Sequence, residues 1–434
     1  MGISKVRTLI ALLISLSILA GCSEESEPAT PVTLTVVYSS QWGFDRTYRE
    51  ALQAEFPDYQ LQVVEMPAIF DSDDETTYQK ILAAKPDLIT INSVSLYQRL
   101  AKEGRLQAID GYAAEDNFDL HAFYPNYIEK LREWGDGKLY GLSSNLGNEA
   151  LYYNRSLFDR YGVPYPTDRK TWQELLNTIN RFPAEGDGES RIYGFYNGGL
   201  NSIGVLFGGL VEMMAGTRNI TELQNHPHSY VNAKEGKIEI NTAYWKDVIT
   251  RALDAYRQER MALRADTEQN LFLQGKAALT YESAWLVEEL LAASPDFEWG
   301  VVSAPADDSG NQAWSPGMLW AVSAESQHKE AAWDVLRFLH SKEQMAMSPL
   351  LSTRTQYLAT YKNTNMLPFY GEDPPSGWTN GFTVHGSFLF WFKQQADRKL
   401  QSVLAQELSL DDALFRLEQE AQLEYDKIVK RDDP

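Results

Sequence analysis

Residues 32–91 alternate between two kinds of segment, and this alternation constrains the fold more than any other feature of the sequence. Runs of apolar and β-branched residues predict strands, and segments with apolar residues four apart predict amphipathic helices. The predicted order is strand Val32–Tyr38, helix Phe44–Phe56, strand Leu61–Met66, helix Tyr78–Ala84 and strand Leu88–Ile91. Strands that alternate with helices pair in parallel through right-handed crossovers. The sequence therefore predicts an α/β fold.

Later segments repeat the pattern over a chain of 434 residues, which is long enough for two lobes that each bury a core. Thr171 to Glu174 form a capping-box pattern before a predicted helix that runs to Phe182. Further amphipathic helices are predicted at Tyr244–Tyr256, Ala284–Leu291, Ala331–Leu339 and Ser409–Val429. Ligands bind beyond the carboxyl ends of parallel strands. A site is therefore expected in the loops Ser39–Gly43, Asn92–Ser95 and Ser143–Asn148.

The charge and the few metal-binding side chains exclude several classes of function. The chain has 39 Lys and Arg against 60 Asp and Glu, which gives a formal net charge of −21. Such a surface repels phosphate backbones, so nucleic acid is not an expected partner. With 6 His and 1 Cys, the chain has no zinc-finger framework and no disulfide scaffold.

The single cysteine, Cys22, belongs to an export signal. Lys5 and Arg7 precede the apolar run Leu9–Leu19, which is too short to span a bilayer comfortably and is typical of a signal peptide. The run ends in Leu-Ala-Gly-Cys22, which resembles the lipobox of bacterial lipoproteins. In that family the thiol is diacylated, for example with palmitate, and cleavage leaves the Cys as the first residue. A buried structural Cys is the alternative. Two acyl chains give durable attachment to a membrane.

The sequence contains none of the motifs that mark common enzymes or cofactor sites. There is no GxGxxG before a helix, no GxxxxGK[ST], no HExxH and no GxSxG. His226 and His228 could bind a metal, and Asp71, Asp73, Asp74 and Glu75 could bind Ca²⁺, but a solvated loop explains each group better. No cofactor and no metal site is predicted. A glycosidase needs two opposed carboxylates, and no pair stands out.

Aromatic residues in loops point to a sugar-shaped ligand. The chain has 11 Trp and 23 Tyr, and Trp42, Trp314 and Trp378 adjoin Gly or Ser in predicted loops. Aromatic faces stack on the C–H faces of sugars, and nearby amide, hydroxyl and carboxylate groups bond their hydroxyls. Core packing is the alternative for most aromatic residues. Trp172, Trp245 and Trp333, which occupy apolar helix positions, are assigned to the core.

Several segments, taken in order, resemble family 1 extracellular solute-binding proteins, the receptors of bacterial ABC sugar importers. The most specific is Asp136–Gly141, continuing to Ala150–Asn154. The other matching segments are Lys85–Ile89, Gly104–Asp110, Leu157–Phe158, Pro166–Leu175, Phe272–Ala278 with Trp285, and Ala331–Leu339. Each segment alone is a weak indication of this family, but all of them in the same order are a specific one. The sequence departs from the usual pattern of this family at Ser143–Asn145, Glu149 and Gly317–Met318. These positions lie in regions expected to contact the ligand, so the identity of the sugar stays open.

The resemblance implies a two-lobed periplasmic-binding-protein fold of the class II type, with three crossings between lobes. The crossings are expected near Leu142–Asn148, Gly300–Pro305 and Leu350–Gln356. The expected divisions are a signal peptide at 1–21, a lipidated tether at 22–31, lobe one at 32–142 plus 305–349, and lobe two at 143–304 plus 350–434. Cleavage before Cys22 removes Lys5 and Arg7 and no acid, so the mature net charge is −23.

The resemblance also implies a set of ligand contacts around the cleft between the lobes. Trp285 matches a position where an aromatic ring often stacks on a sugar, Glu282 could accept hydroxyl hydrogen bonds, and Arg354 could clamp hydroxyls. The full set of candidates is Trp42, Asn92, Ser93, Asn145, Asn148, Glu282, Trp285, Trp314, Gly317, Met318, Arg354 and Trp391. Packing or hinge geometry is the alternative reason for each of them.

The function that follows is a non-catalytic, monomeric receptor for a mono- or oligosaccharide. It would be anchored to the outer face of the cell membrane through Cys22 and would deliver the solute to ABC permease subunits. Two other functions stay open: a receptor that presents sugar to a membrane kinase, and a surface glycoside hydrolase. Within the receptor class, the ligand could also be a peptide, a glycerol phosphate or a polyamine. The acidic charge disfavours phosphates.

Overall fold

A computed structural model gives the architecture of the chain. It describes residues 31–66, 75–124, 127–183, 186, 190–198, 206–212, 229–232, 235–263, 269–306, 316–347, 351–357, 360–370 and 386–432. No helix in those ranges combines the length and the apolar character that crossing a bilayer requires.

The first half of the chain supplies β1 Val32–Tyr38, α1 Gln41–Phe44, α2 Glu50–Glu55, β2 Tyr59–Glu65, α3 Glu75–Ala84, β3 Leu88–Ile91, α4 Val94–Lys102, α5 Asp110–Glu115, α6 Tyr127–Trp134, β4 Gly141–Leu142, β5 Glu149–Asn154, α7 Arg155–Tyr161, α8 Trp172–Ile179 and β6 Tyr193–Asn197. A π-helical turn at Asp45–Arg49 joins α1 to α2, and another lies at Phe207–Val211.

The second half supplies β7 Val231–Asn232, β8 Lys237–Ile238, α9 Ala243–Arg257, β9 Met261–Leu263, β10 Ala277–Ser283, α10 Trp285–Ala293, β11 Trp299–Val302, β12 Leu319–Val322, α11 Lys329–Leu339, α12 Lys342–Met347, β13 Thr360–Tyr361, β14 Thr364–Asn365, α13 Gly386–Leu404 and α14 Leu410–Asp432.

The first sheet confirms the parallel pairing predicted from the alternation. Its strand order is β2-β1-β3-β12-β4, and β1 lies parallel to both β2 and β3. The second strand begins at Tyr59, two residues before its predicted start, because Val32 at the start of β1 pairs with Tyr59. The predicted helix after β1 also forms, with Phe44 and Leu52 of its apolar face fully buried.

The second sheet has the order β11-β5-β10-β6-β9. Strand β6 lies parallel to β10 and β9, and β5 runs antiparallel to β10 and β11. The capping box at Thr171 forms as predicted: its side chain accepts from the amide of Glu174, whose carboxylate accepts from the amide of Thr171. Helix α8 ends at Ile179, three residues before the predicted end.

The two five-stranded sheets are separate, and each is the centre of one lobe. The first hydrophobic core contains the strands of the first sheet, α4 and α11, and it continues into the second lobe through Tyr152, Tyr196 and Leu286. The second contains α8, α9 and the facing sides of α13 and α14. Trp172, Trp245 and Trp333 are buried, as predicted. The first lobe is therefore the body built on the first sheet and the second lobe the body built on the second. Their predicted sequence boundaries stay predictions.

Candidate functional site

The connections between the sheets bring one edge of each sheet close to the other. Strand β4 ends at Leu142 in the first sheet, and β5 begins at Glu149 in the second. The six intervening residues span at most about 25 Å. The first cleft edge is defined here by the ends of β1, β3 and β4 and the start of antiparallel β12. The second cleft edge is defined by the ends of β6 and β10 and the start of β5.

Two connecting segments run side by side between the lobes. The amide of Leu146 donates to the carbonyl of Leu351 (2.8 Å), and the amide of Thr353 donates to the carbonyl of Ser144 (3.0 Å). Asn145 and Ser352 form an antiparallel bridge between these two bonds. The two segments therefore behave as one short extended ribbon, which can bend through its backbone dihedral angles without breaking a helix.

A third connecting segment reaches the same ribbon at Gly317. The chain leaves the second sheet at Val302 and joins the first at Leu319. Gly317 has φ +73°, and a Cβ built on it would lie 1.9 Å from the carbonyl oxygen of Asn145. Only glycine fits this close backbone approach. Gly317 and Asn145, predicted as ligand contacts, therefore meet where the three connections converge.

Trp42 projects from the first cleft edge, and hydrogen bonds and packed aromatic rings hold the turn that carries it. Ser40 caps α1 by accepting from the amide of Gly43 (3.1 Å), and Glu65 accepts from the amide of Gln41 (2.5 Å). Beneath this turn lies a cluster of aromatic rings made by Tyr38, Phe44, Tyr48 and Trp320. The Trp42 side chain is 70% exposed. The guanidinium of Arg46 lies 5.2 Å from the centre of its ring.

Trp285 occupies the corresponding place on the second cleft edge. It is the first residue of α10, directly after β10, and is 60% exposed. The buried hydroxyl of Tyr152 donates to the carbonyl of Ser283 (2.8 Å). Burial raises the pKa of Tyr152 well above its usual value, so this hydroxyl stays protonated and holds the strand-to-helix turn in place.

Other candidates lie at the strand ends of both cleft edges. Asn92 directly follows β3, and its side-chain nitrogen is buried with no hydrogen-bond partner among the described residues. Met318 directly precedes β12 and is half-buried. Glu282 lies near the end of β10, half-buried, with its carboxylate against Gly198. A Cβ at Gly198 would lie 2.1 Å from the Glu282 carboxylate oxygen, so glycine makes room for this acid.

Four predicted contacts have bonding or packing partners inside the fold, and their contact with a ligand stays a prediction. Asn148 is 4% exposed and donates to the carbonyl of Phe369 (2.9 Å). Arg354 is 7% exposed, and two of its nitrogens donate to the carbonyl of His340 (3.1 and 2.8 Å). The Ser93 hydroxyl caps α4 by accepting from the amide of Leu96 (3.3 Å). Trp391 stacks on Phe388 against the second core.

Some predicted features lie outside the described residues. These are Cys22, Trp314, Trp378, His226, His228, Asp71, Asp73 and Asp74. Glu75 begins α3.

Other residues at the edges were missed by sequence reasoning. Arg46 could have been found from its position four residues after Trp42, on the same helical face. Tyr152 and Gly198 carry no local signal, because their roles come from the pairing of β10 with β5 and β6.

An open groove of about 540 Å³ lies elsewhere, on the second lobe. It is formed by α9 and the loop between α13 and α14, with Leu253, Arg257 and Leu408 among its walls. None of its wall residues comes from a cleft edge. Aromatic and polar groups that follow strands at two facing edges make the cleft the better candidate site.

Two α/β lobes, three connections between them and exposed aromatic residues on both cleft edges define a two-lobed solute receptor. Residues 44–346 match the family of bacterial extracellular solute-binding proteins. The match covers well over half of the chain, and the protein belongs to this family.

Individual relatives and structures agree with this assignment. A binding protein of Brucella abortus (strain 2308) is 29% identical over 340 residues, which cover 76% of this chain and 77% of that protein. The sn-glycerol-3-phosphate-binding periplasmic protein UgpB of Brucella melitensis is 24% identical over 265 residues, covering 59% of this chain and 58% of UgpB. The sugar-binding protein MalE of Xanthomonas citri shares the fold, with TM-score 0.66 and 16% identity over 93% of this chain and 100% of that chain.

Proposed function

We propose that this protein is a lipid-anchored, monomeric receptor that captures a mono- or oligosaccharide in the cleft and delivers it to an ABC importer. The observation that carries the proposal is the pair of exposed tryptophans, Trp42 and Trp285, one on each cleft edge. Large exposed aromatic side chains held by a rigid base favour stacking on an apolar ligand face. The names of two of the similar proteins, a sugar-binding MalE and a glycerol-phosphate-binding UgpB, support a small polar solute.

Capture in this proposal proceeds by closure of the two lobes on the solute. The ribbon formed by the segments around Asn145 and Ser352 is the bending element. A sugar favours the closed state to the extent that it contacts both edges at once, because a ligand shifts an equilibrium only by its difference in affinity for the two states. Trp42, Asn92 and Met318 would contact it from the first lobe, and Glu282 and Trp285 from the second.

The proposed place of action is the outer face of the cell membrane. Cys22 would carry the acyl chains, and the Ser-, Glu- and Pro-containing stretch after it would be a flexible tether. No catalytic role is proposed, because a receptor needs only to bind its solute and release it.

A thermal-shift screen of purified protein against mono- and oligosaccharides tests the proposal. A ligand present at a hundred times its dissociation constant adds about 2.7 kcal/mol to the free energy of unfolding. We expect at least one sugar to raise the melting temperature, and the variant with both Trp42→Ala and Trp285→Ala to lose that response. Mass spectrometry of the recovered sugar should show no product. Release of shorter sugars would favour a hydrolase instead, and a panel without any shift would contradict the proposal.

A further inference from the structure

The π-helical turn after α1 carries two arginines whose surroundings differ. Arg49 is held by the fold, because it pairs with Asp45 and donates to the carbonyl of Leu61 (3.3 Å). Arg46 is exposed, and within the described residues its guanidinium contacts the Trp42 ring and forms no hydrogen bond or ion pair. The placement of Arg46 therefore depends on its contact with the tryptophan of the first cleft edge.

The two acids beside this turn are used to hold its backbone and its other arginine. Asp45 accepts from the side-chain amide of Gln41 (2.7 Å) and pairs with Arg49. Glu65, at the end of β2, accepts from the backbone amide of Gln41 (2.5 Å). Neither carboxylate forms an ion pair with Arg46. No acid of the turn therefore draws the Arg46 side chain away from the Trp42 ring.

The helical backbone brings Arg46 to one face of Trp42. The two residues lie four apart, and Phe44 and Asp45 between them both have right-handed helical dihedral angles. Side chains four apart are neighbours on the surface of a helix. The Cζ atom of Arg46 lies over the Trp42 ring, 5.2 Å from its centre, which is within the range where a ring attracts a cation. Arg46 thus covers one face of a ring whose side chain is 70% exposed, and the other face is left for a solute.

The other contacts of the turn fix its backbone but not the orientation of the indole ring. The hydrogen bonds made by Ser40 and Glu65 end at the backbone amides of Gly43 and Gln41. An exposed side chain without further contacts moves among its rotamers. Ordering such a side chain when a ligand binds weakens affinity by about two- to tenfold. A ring already held by a cation avoids this loss.

We propose that Arg46 is a positioning residue of the first cleft edge: it covers one face of Trp42 and holds the ring ready for a sugar to stack on the opposite face. This inference rests on the proposed function and deepens it, because the ring is then ordered before the sugar arrives. Arg46 acts through Trp42 and needs no contact of its own with the sugar.

A double-mutant cycle tests the proposal by isothermal titration of the best sugar from the thermal-shift screen. The proteins are wild type, Arg46→Ala, Trp42→Ala and the double variant, together with Arg46→Lys and Arg160→Ala. Arg160 is the matched control, because it is exposed and lies 5.2 Å from the centre of the Tyr161 ring. It belongs to α7, which follows the end of β5, whereas the start of β5 lies at the cleft.

We expect Arg46→Ala to weaken sugar binding about fivefold when Trp42 is present, and by less than about twofold in the Trp42→Ala background. Arg46→Lys keeps a cation for the ring and should bind within about twofold of wild type, as should Arg160→Ala. Equal losses from Arg46→Ala with and without Trp42, or no loss in either, would overturn the inference and leave the receptor standing. Failure of every sugar to bind wild type would overturn the proposed function and this inference with it.

A second measurement reports on the ring without any sugar. Fluorine NMR of protein labelled with 5-fluorotryptophan gives one signal for each tryptophan, and the Trp42→Phe variant identifies the signal of position 42. We expect Arg46→Ala to shift that signal, and Arg46→Lys and Arg160→Ala to leave it close to its wild-type position. An unchanged Trp42 signal in Arg46→Ala would contradict the positioning role even if sugar binding were weakened.

Discussion

The two cleft edges hold an exposed tryptophan in place by different contacts. Each holds an exposed tryptophan just after a strand. On the first edge Trp42 is supported by a helix cap and an aromatic cluster, and the cation Arg46 lies beside its ring. On the second edge Trp285 is supported by one buried hydroxyl, that of Tyr152, and its neighbours are carboxylates. Stacking can thus come from both lobes.

The contrast between the edges matters because a solute in the cleft can contact both of them. A solute bound to one lobe gains its second set of contacts when the ribbon bends, so closure adds the contacts of one edge to those of the other. We call the place where Gly317 meets the Asn145–Ser352 ribbon the junction. Variants at the junction should change both lobes, whereas variants within one lobe should change that lobe alone. The three predictions below separate these cases.

The largest effect is expected at the junction itself, from Gly317→Ala. An alanine at φ +73° pays a left-handed backbone penalty of about 1–2 kcal/mol, and its Cβ would collide with the Asn145 carbonyl. Together these should lower the free energy of unfolding by about 3 kcal/mol, measured by denaturant titration. Gly104→Ala is the matched control, because Gly104 has φ +66° and open space around it. It should cost only about 1 kcal/mol. Equal losses for the two variants would show that the contact with Asn145 is unimportant.

Acid should weaken the first lobe through His340, which follows α11 at the junction. Burial, assisted by the positive charge of Arg354, lowers the pKa of His340 to about 4 from its usual 6.5. Between pH 6.5 and about 4, His340 therefore binds a proton in the unfolded chain but not in the folded chain. Stability is complete above pH 6.5 and falls as the pH drops toward 4, by about 3 kcal/mol at most.

The measurement is the free energy of unfolding from pH 7 to pH 4 for wild type and His340→Gln. Carboxylate titrations are common to both proteins, so the difference in slope reports His340. Hydrogen exchange should show early loss of protection in β12 and α11, ahead of β10 and α10 of the second lobe. Parallel slopes for the two proteins, or loss of protection in the second lobe first, would contradict the prediction.

Sequence reasoning predicted the parts of this molecule that depend on local pattern. Strands Val32–Tyr38 and Leu88–Ile91 have the predicted bounds, because β-branched and apolar residues favour strands. The capping box at Thr171 is similarly local. Trp42 and Trp285 were selected from loop position and family resemblance, and both are exposed.

The parts that sequence reasoning could not predict depend on contacts between distant segments. Arg354 looks like a ligand clamp in the sequence, yet its partner is the carbonyl of His340. Asn148 lies in the expected loop, yet it bonds to Phe369, 221 residues away. The role of Gly317 follows from its approach to Asn145, which no local pattern reveals. A polar residue in a connecting segment can form hydrogen bonds within the fold as readily as it can contact a ligand.

The smallest effect in free energy is expected from the tryptophans, and it tests the comparison of the edges directly. Trp42→Ala and Trp285→Ala should each weaken sugar binding about thirtyfold, which corresponds to about 2 kcal/mol for a buried aromatic contact. The free energy of unfolding should change by less than about 0.5 kcal/mol, because both side chains are exposed. The Trp→Phe variants keep a stacking face and should retain most of the affinity. Titration of the best sugar against all four variants gives the result: similar losses show that both lobes stack on the solute, whereas a loss at one position alone would confine stacking to that edge.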